Sequence, residues 1–361
     1  MFITKVTYKN YRNVKEAEIK LEREVNVFQG YNAQGKTNLL EGIYYFACGK
    51  SFRGASDKEL VLLGEDTGSV TLYFTDEKRE RTHEVQLFAA EKKICRKEGI
   101  KIGKMSDFIG VFRAVLFSPE HLSIVKDGPA ERRAFLDVAI SQVYPAYLAS
   151  LSKYKKLLTD RNALLKDPSV IGFDDMISVI SSQMASEAAF ISGHRDRYIK
   201  KLSEHVEHLI YNMTGGHEIV KMQYNTLYGE DEYQRLFMSC IEREIAAKTT
   251  LHGIQKDDIY ITLNGLDSRV YASQGQQRSI ALAMKLAEGE ISKEICGEYP
   301  VFLFDDILSE LDEVRRGFVL TELYGRQVII TNCTQIDAGK IFNVYKGRVS
   351  VDGKGAKRIC T

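Results

Sequence analysis

The first third of the chain alternates apolar and polar positions in short runs, which is typical of half-buried β-strands. These runs and a few short apolar stretches predict strands at residues 2–10, 14–21, 25–28, 69–75, 83–89, 92–96, 100–102 and 112–117. Between them, the segment from Lys36 to Cys48 carries apolar residues at helical spacing, namely Leu39, Leu40, Ile43, Tyr44 and Ala47. This part of the chain is therefore predicted to be rich in β-strands, with one helix.

The middle of the chain has helical spacing from about Ala130 to Tyr211. Six apolar residues lie on one face of the helix predicted here, namely Leu148, Leu151, Tyr154, Leu157, Leu158 and Leu165. Asp167-Pro168 ends that helix, because proline has no N–H and disfavours helical backbone before it. A second helix, Asp174 to Met213, ends at the cap Gly215-Gly216. The two helices predict a short antiparallel arm at about residues 130–214.

After the arm, strands and helices mix again. Strands are predicted at residues 217–225, 258–263, 301–306 and 327–331, with a small hairpin at about 341–351. Helices are predicted at residues 231–248, 276–296 and 312–324. The residues after Gly353 are predicted to form a disordered tail. The pattern as a whole indicates an α/β protein with a mainly helical insertion.

The stretch from Gly30 to Thr37 reads G-x-x-x-x-G-K-T and lies between a predicted strand and a helix, which is the context that this phosphate-binding motif needs. Gly30 and Gly35 allow backbone dihedrals that turn N–H groups toward phosphate oxygens. Lys36 can reach the β- and γ-phosphates, and the Thr37 hydroxyl can ligate Mg²⁺. The motif predicts binding of a nucleoside triphosphate.

Two carboxylates, Asp305 and Asp306, end the apolar run from Val301 to Phe304. Sheets of this class place ligands at the carboxyl ends of their strands. Asp305 is expected to support the Mg²⁺ that Thr37 also binds, and Asp306 to orient the attacking water or accept its proton.

Composition adds limits to these predictions. The chain has 361 residues, of which 44% are hydrophobic and 27% charged, so it has room for two or three domains. A net charge of +1 means that any nucleic-acid contact must come from local basic patches. The six cysteines form no C-x-x-C pair, which argues against zinc and disulfides, and no 18 apolar residues run together. A cytoplasmic protein without a membrane segment is expected.

One more segment, Ser273-Gln274-Gly275-Gln276-Gln277-Arg278, stands before a predicted helix and taken alone could be a plain N-cap. With the phosphate loop and the carboxylates, it resembles the ATPase heads of the ABC type. In that family a Ser-x-Gly signature from a second subunit completes the nucleotide site. By this resemblance Ser273 and Gly275 would contact the γ-phosphate across a homodimer, and Ser309 to Asp312 would form the D-loop.

A finer resemblance is to the RecF family of bacterial recombination-repair proteins, which are related to SMC heads. It rests on the segments Asn10–Asn13, Gly35–Glu41, Phe117–Glu120, Glu131–Asp137, Ser273–Arg278 and Asp305–Asp312. It implies an ABC-type, SMC-like P-loop ATPase head with mixed sheets around the P-loop helix and a mainly helical second lobe. The first lobe would comprise residues 1–115 and 298–361. The second would comprise residues 116–297, including the helical arm and the signature segment.

The motif chemistry and the resemblance together assign roles to residues. Lys36, Asp305 and Asp306 would be catalytic, and Thr37 and Asp305 would hold Mg²⁺. ATP would be bound by Arg12, Gly30, Asn32, Gly35, Lys36, Thr37, Asn38, Ser273, Gly275 and Gln276. The implied activity is slow, DNA-dependent ATP hydrolysis that switches a homodimer on duplex DNA near gap junctions. RecO and RecR would be partners in loading RecA.

Three segments depart from the family pattern. Gly253–Asp258 keeps only the outline of a Gly-Pro-His-Arg-Asp-Asp stretch. Thr331-Asn332-Cys333 stands where many ABC ATPases have a switch histidine, and Ser118-Pro119-Glu120 stands in the place of a Q-loop glutamine. These departures favour a slow switch over a fast motor.

Several alternatives stay open at this point. A transporter subunit or an SMC-like complex would share the ABC motifs, although the stretch between Gly35 and Ser273 has no room for a long coiled coil. A small-molecule kinase would use the phosphate loop without Ser273, and a DNA-binding module could retain a vestigial site. DNA contacts are predicted on the arm at Lys153, Lys155, Lys156, Arg161, Arg195, Arg197, Lys200 and Lys201, with a solvated helix face as the alternative for each.

Overall fold

The computed structural model describes residues 1–225, 228–333 and 339–351. Its strands are β1 (Phe2–Tyr11), β2 (Val14–Lys20), β3 (Val25–Gln29), β4 (Thr67–Thr75), β5 (Glu80–Phe88), β6 (Ile94–Lys97), β7 (Ile100–Lys101), β8 (Ala114–Phe117), β9 (Val220–Tyr224), β10 (Ile259–Leu263), β11 (Leu266–Asp267), β12 (Val301–Asp305), β13 (Val328–Asn332), β14 (Lys340–Tyr345) and β15 (Arg348–Val351). Its α-helices are α1 (Lys36–Cys48), α2 (Pro129–Val143), α3 (Pro145–Lys166), α4 (Phe173–Thr214), α5 (Glu230–Ser239), α6 (Ile241–Ala247), α7 (Ser268–Tyr271), α8 (Gln274–Cys296) and α9 (Glu313–Glu322). The predicted tail after Gly353 lies outside the described residues.

Two six-stranded sheets form the first of two compact units, which comprises residues 1–122 and the described residues from 284 onward. One sheet is antiparallel, with strand order β2-β1-β4-β5-β6-β7, and the other is mixed, with order β15-β14-β3-β13-β12-β8. In the mixed sheet all strands from β14 to β8 run parallel. These strands have nearly continuous apolar sequences, because other elements cover both faces of a parallel sheet.

Helix α1 is buried along most of its length, including Leu39, Leu40 and the stretch Ile43–Ala47. It contacts β8, β12 and β13 of the mixed sheet and β1 and β4 of the antiparallel sheet. A helix that is apolar on all sides needs such a position between two layers. The prediction of mixed sheets around the P-loop helix is confirmed.

The second unit, residues 123–283, is mainly helical and adds a small antiparallel sheet with order β11-β10-β9. Helices α3 and α4 pack against each other and form the predicted arm. Helix α4 is 42 residues long, and it ends at Gly215 in a left-handed conformation, as predicted from the glycine pair.

Two predicted helices are in fact interrupted. The helix expected before Asp167-Pro168 is the pair α2 and α3, because Pro145 holds the preceding Tyr144 in extended backbone with φ −128° and ψ 92°. The helix expected at residues 231–248 is the pair α5 and α6, which are separated at Cys240 by backbone with φ −108° and ψ 3°. Spacing alone missed both breaks, because each helix resumes at once with an apolar face of its own.

The two compact units divide the chain at 122/123 and 283/284. Strand β8 belongs to the mixed sheet and ends before the first division, while α8 runs through the second without interruption. These positions differ from the lobe boundaries predicted at 115/116 and 297/298, and the functional lobes stay a prediction. Over the ranges that the structure describes, no helix combines the length and apolar character needed to cross a membrane.

His83 on β5 predicts how the stability of the first unit depends on pH. Its ring is fully buried between Phe74 and Phe108, and neither ring nitrogen has a hydrogen-bond partner within the described residues. The pKa of His83 is lowered from 6.5 to about 3, mainly by burial and in addition by the nearby charges of Lys97 and Arg81. The folded protein therefore keeps this ring neutral at a pH where the unfolded chain binds a proton.

Lowering the pH from 7 to 5 should thus reduce the free energy of unfolding by about 2 kcal/mol through this side chain alone. His83→Leu should remove that part of the loss, which chemical denaturation at both pH values measures. Replacing the exposed His217 by leucine is the matched control, because it removes a histidine from the surface and leaves the buried ring in place. Equal pH dependence in His83→Leu and the parent protein would contradict the prediction.

Candidate functional site

The phosphate loop, residues 30–35, connects β3 to α1 at the carboxyl edge of the mixed sheet. Gly35 has φ +110°, and a side chain there would also meet Asn13 Oδ1 at 2.6 Å. Because Gly35 occupies the N-cap of α1, the first N–H groups of the helix have no side-chain cap. The loop and the helix dipole together suit an anion.

Lys36 is only 5% exposed, and its ammonium group lies inside the loop. Nζ donates hydrogen bonds to Gly30 O at 2.8 Å and Tyr31 O at 3.1 Å, and it lies 3.4 Å from Cys333 Sγ. The backbone carbonyls therefore hold the positive charge beside the amides that would bind a phosphate. The structure brings Lys36 and Gly30 together, and their contacts with phosphate stay a prediction.

Asp305 joins the end of β12 to the phosphate loop. Its Oδ1 accepts hydrogen bonds from Thr37 Oγ1 at 2.8 Å and from Thr331 Oγ1 at 2.9 Å. Burial raises the pKa of Asp305 above its ordinary value, the two hydroxyl groups oppose this effect, and the charges of Asp306 and Glu120 add to it. The site has an excess of negative charge that a cation would relieve.

The donor set at this point fits Mg²⁺, which prefers hydroxyl, carboxylate and phosphate oxygens. Thr37 Oγ1 and Asp305 Oδ1 are 2.8 Å apart, close to the spacing of about 3 Å between neighbouring ligands of an octahedral ion with 2.1 Å bonds. The described part of the chain has no group of three or more His, Cys, Asp or Glu side chains that could hold a metal. Mg²⁺ in nucleotide sites commonly takes its other ligands from phosphate oxygens and water, and these would complete the set here.

Asp306 follows in a left-handed conformation with φ 54°, which is uncommon for a residue other than glycine. Its N–H donates to Thr331 Oγ1 at 2.9 Å, and its Oδ2 lies 3.1 Å from Cys333 Sγ. The turn therefore places this second carboxylate on the side of Cys333, and through Cys333 next to Lys36.

The other predicted ATP ligands in this unit have different surroundings. They are Asn32, Asn38 and Arg12. The Asn32 side chain is exposed on the loop, and its Oδ1 lies 2.7 Å from Cys333 Sγ. Asn38 Nδ2 donates to Asn13 Oδ1 at 2.8 Å, which ties α1 to the β1–β2 turn.

Arg12 lies in the β1–β2 turn with φ 52°, and its donors are used inside the fold. Nε and Nη2 each donate to the Glu41 carboxylate at 2.8 Å, and Nη1 donates to Glu59 O at 3.2 Å. The hydrogen bond with the buried Glu41 raises the pKa of Arg12. Its contact with ATP stays a prediction.

The signature segment lies in the second unit, at the start of α8. Ser273 Oγ accepts from Gln276 N at 3.3 Å, and Gln276 Oε1 accepts from Ser273 N at 2.8 Å. This is a reciprocal capping box, in which Ser273 is exposed. Gly275, between them, lies in the first turn of α8. The roles of Ser273, Gly275 and Gln276 in a second subunit's site stay predictions, and the D-loop side chains of Ser309 and Glu310 lie outside the described residues.

The sequence motifs do not identify Thr331 or Asn13 as site residues. Thr331 binds Asp305, and Asn13 packs on Gly35 and donates to Gln34 O at 3.1 Å. Two sequence signals point to Thr331, namely its place at the end of the strand predicted at residues 327–331 and its place in the segment that stands where many ABC ATPases have a switch histidine. Glu120, in the Q-loop position, contributes charge near Asp305.

The basic cluster predicted on the arm is partly internal, and the prediction is wrong for two of its residues. Arg161 is fully buried and pairs with Glu244 at 2.6 Å. Arg195 is 2% exposed and pairs with Asp137 at 2.8 Å. Exposed members of the cluster remain, namely Lys153, Lys155, Lys156, Arg197, Lys200 and Lys201. Of these, Lys153, Lys155 and Lys200 each pair with a carboxylate, which reduces their net charge toward a phosphate backbone.

Sequence comparison matches residues 2–347 to the RecF/RecN/SMC N terminal domain. The DNA replication and repair protein RecF of Clostridium kluyveri is 37% identical over 97% of this chain and 100% of its own length. The protein of the same name from Clostridium acetobutylicum is 38% identical over 97% of this chain and 99% of its own length.

Solved structures agree with these relatives. The structure of the recombination mediator protein RecF-ATP in the RecFOR pathway covers 98% of this chain, with a TM-score of 0.91 and 32% identity. An Smc head domain derived from Pyrococcus furiosus has a TM-score of 0.57 at 15% identity, which shows a shared fold. The predicted ABC-type, SMC-like head and the resemblance to RecF are confirmed. A chain with these sheets around its phosphate loop and this likeness along almost its whole length belongs to the RecF family of DNA replication and repair proteins.

Proposed function

We propose that this chain is an ATP-driven switch that acts on DNA. ATP would bring two copies together head to head on duplex DNA near gap junctions, and slow hydrolysis would separate them. The observation that carries the proposal is the 2.8 Å hydrogen bond between Thr37 and Asp305, which joins the phosphate loop to the carboxylate strand. The RecF-ATP structure supports ATP as the nucleotide.

Each side chain of the site would have a role that depends on its position. The Lys36 ammonium would bind the β- and γ-phosphates from inside the loop, and Thr37 and Asp305 would hold Mg²⁺. When bound, Mg²⁺ would neutralise charge on the phosphate oxygens. Asp306 would orient the attacking water and accept its proton. Ser273 and Gly275 of the second copy would contact the γ-phosphate and so make closure depend on ATP.

The partners follow from the same family membership. The RecFOR pathway named for the solved relatives supports RecO and RecR as partners. The outcome of their joint action would be the loading of RecA, which is what the family resemblance implies. Duplex DNA would contact exposed basic residues of the arm, among them Lys156 and Arg197, and binding would weaken as salt concentration rises. This role places the protein in the cytoplasm with the chromosome.

The competing functions differ in what they require. Likeness to RecF over the whole chain supports a DNA-acting head over a transporter subunit. A small-molecule kinase would need an acceptor pocket and would be indifferent to Ser273. A DNA-binding module with a vestigial site would bind DNA equally with and without ATP.

Light scattering with and without ATP, each with and without gapped duplex DNA, tests the proposal. We expect dimers only with ATP, and tighter DNA binding in the same samples. Ser273→Asp should keep the N-cap of α8, because aspartate is also a good capping residue. It should place a negative charge against the γ-phosphate of the ATP that the second copy binds. We therefore expect this variant to bind ATP but to form no dimer. Ser152→Asp adds the same charge on an exposed face of α3 and should dimerise normally. Dimers of Ser273→Asp that match those of the parent protein would refute the shared site.

A further inference from the structure

Cys333 lies where two functional segments of the mixed sheet converge. It follows the last residue of β13, which pairs on one side with β3, leading to the phosphate loop, and on the other with β12, ending in Asp305. The register aligns Asn332 with Gln29 and Thr331 with Asp305. The next residue therefore comes between the loop and the carboxylates.

The Cys333 sulfur contacts a side chain from each of these segments. Its distances are 3.4 Å to Lys36 Nζ, 2.7 Å to Asn32 Oδ1 and 3.1 Å to Asp306 Oδ2. The first and third of these are the groups proposed to bind the γ-phosphate and to orient water. No other cysteine with described surroundings contacts either group.

The protonation state of the thiol decides what it can do. Burial raises the pKa of Cys333 above its ordinary value and the hydrogen bond with Asp306 raises it further, while Lys36 opposes both. The group is thus a neutral thiol at neutral pH, with a sulfur that can accept and one hydrogen to donate. Asn32 Oδ1 at 2.7 Å and Asp306 Oδ2 at 3.1 Å compete for that hydrogen, and the carboxylate is the stronger acceptor of the two. Lys36 can only donate and an ionised carboxylate can only accept, so the thiol is suited to connect the two.

We propose that Cys333 is a positioning residue for hydrolysis, whose thiol donates to the Asp306 carboxylate and accepts from the Lys36 ammonium. This inference rests on the proposed ATPase function. The backbone of Asp306 is already held by Thr331, and Cys333 restrains its carboxylate. A carboxylate that can rotate away would orient water less often, whereas ATP binding by the loop would be nearly unaffected.

A pair of variants of nearly equal size separates the hydrogen bonds from packing. Cys333→Ala removes both donor and acceptor, while Cys333→Ser restores them with a hydroxyl. In single-turnover hydrolysis we expect Cys333→Ala to be slower by about tenfold, the effect of one hydrogen bond to a charged group, and Cys333→Ser to stay within about threefold of the parent protein. The Kd for ATP should change by less than about threefold in both.

Each other outcome overturns the inference in a recognisable way. Unchanged hydrolysis in Cys333→Ala, or Cys333→Ser as slow as Cys333→Ala, would exclude positioning by hydrogen bonds. An equal loss in ATP binding and in hydrolysis would indicate a structural role instead. If the parent protein itself neither binds nor hydrolyses ATP, the proposed function fails first, and the two failures are thereby distinguished.

The location of the thiol has its own test. Labelling with N-ethylmaleimide, followed by peptide mass spectrometry, should be slower at Cys333 when ATP and Mg²⁺ are present. Cys296 is also half-buried but lies at the end of α8, and it serves as the internal control whose labelling ATP should not change. Equal labelling of Cys333 with and without ATP would place it outside the nucleotide site.

Discussion

Replacing Lys36 by methionine should abolish ATP binding, with an increase in Kd of at least about 100-fold. The side chain keeps its length but loses the ammonium group that the carbonyls of Gly30 and Tyr31 hold inside the loop. A fluorescent ATP analogue titrated into each protein measures the change. ATP-dependent association with DNA should disappear in the same variant, because the proposed closure of two heads would need the nucleotide.

The controls for Lys36→Met separate charge from geometry. Lys36→Arg retains the charge, but the larger planar guanidinium does not fit a nearly buried position, so we expect it to fail as well. Lys50→Met removes an exposed lysine just beyond α1 and should bind ATP like the parent protein. ATP binding by Lys36→Met within threefold of the parent would refute the assignment of the loop.

Replacing Arg161 by leucine should reduce the stability of the second unit by about 3–5 kcal/mol. Arg161 on α3 pairs with Glu244 and also donates to Ser181 Oγ, Thr250 Oγ1 and Phe237 O, so one guanidinium connects four segments. Removing it leaves the Glu244 carboxylate buried without its counter-charge. Chemical denaturation followed by circular dichroism measures the loss.

Two further variants make this prediction specific. The double variant Arg161→Leu with Glu244→Leu removes both charges and should recover most of the loss, because a well-packed apolar pair often replaces a buried ion pair without cost. Lys156→Leu, on an exposed position of the same helix, should change stability by less than about 0.5 kcal/mol. A small effect of Arg161→Leu, equal to that of Lys156→Leu, would contradict the burial seen here.

The burial of Arg161 is a feature that the sequence alone could have predicted. It lies four residues after Leu157 and four before Leu165, which places it on the buried face of α3. Arg195 has the same relation to Ile191 and Ile199 on α4. Helical spacing could therefore have removed both arginines from the proposed DNA surface. Their partners Glu244 and Asp137 could not be read from spacing, because they come from distant segments of the chain.

The sequence by itself determined the phosphate loop, the carboxylate strand and the order of helices and strands, because each depends on neighbours within a few residues. Lys36 and Thr37 carry their chemistry by following Gly35 at the start of a helix. Only the tertiary structure decided which side chains from distant segments share a site: Thr331 with Asp305, and Cys333 with Lys36 and Asp306. The physical reason is that parallel strands bring their carboxyl ends to one edge of a sheet, and strand order, which local patterns do not encode, selects the residues that meet there.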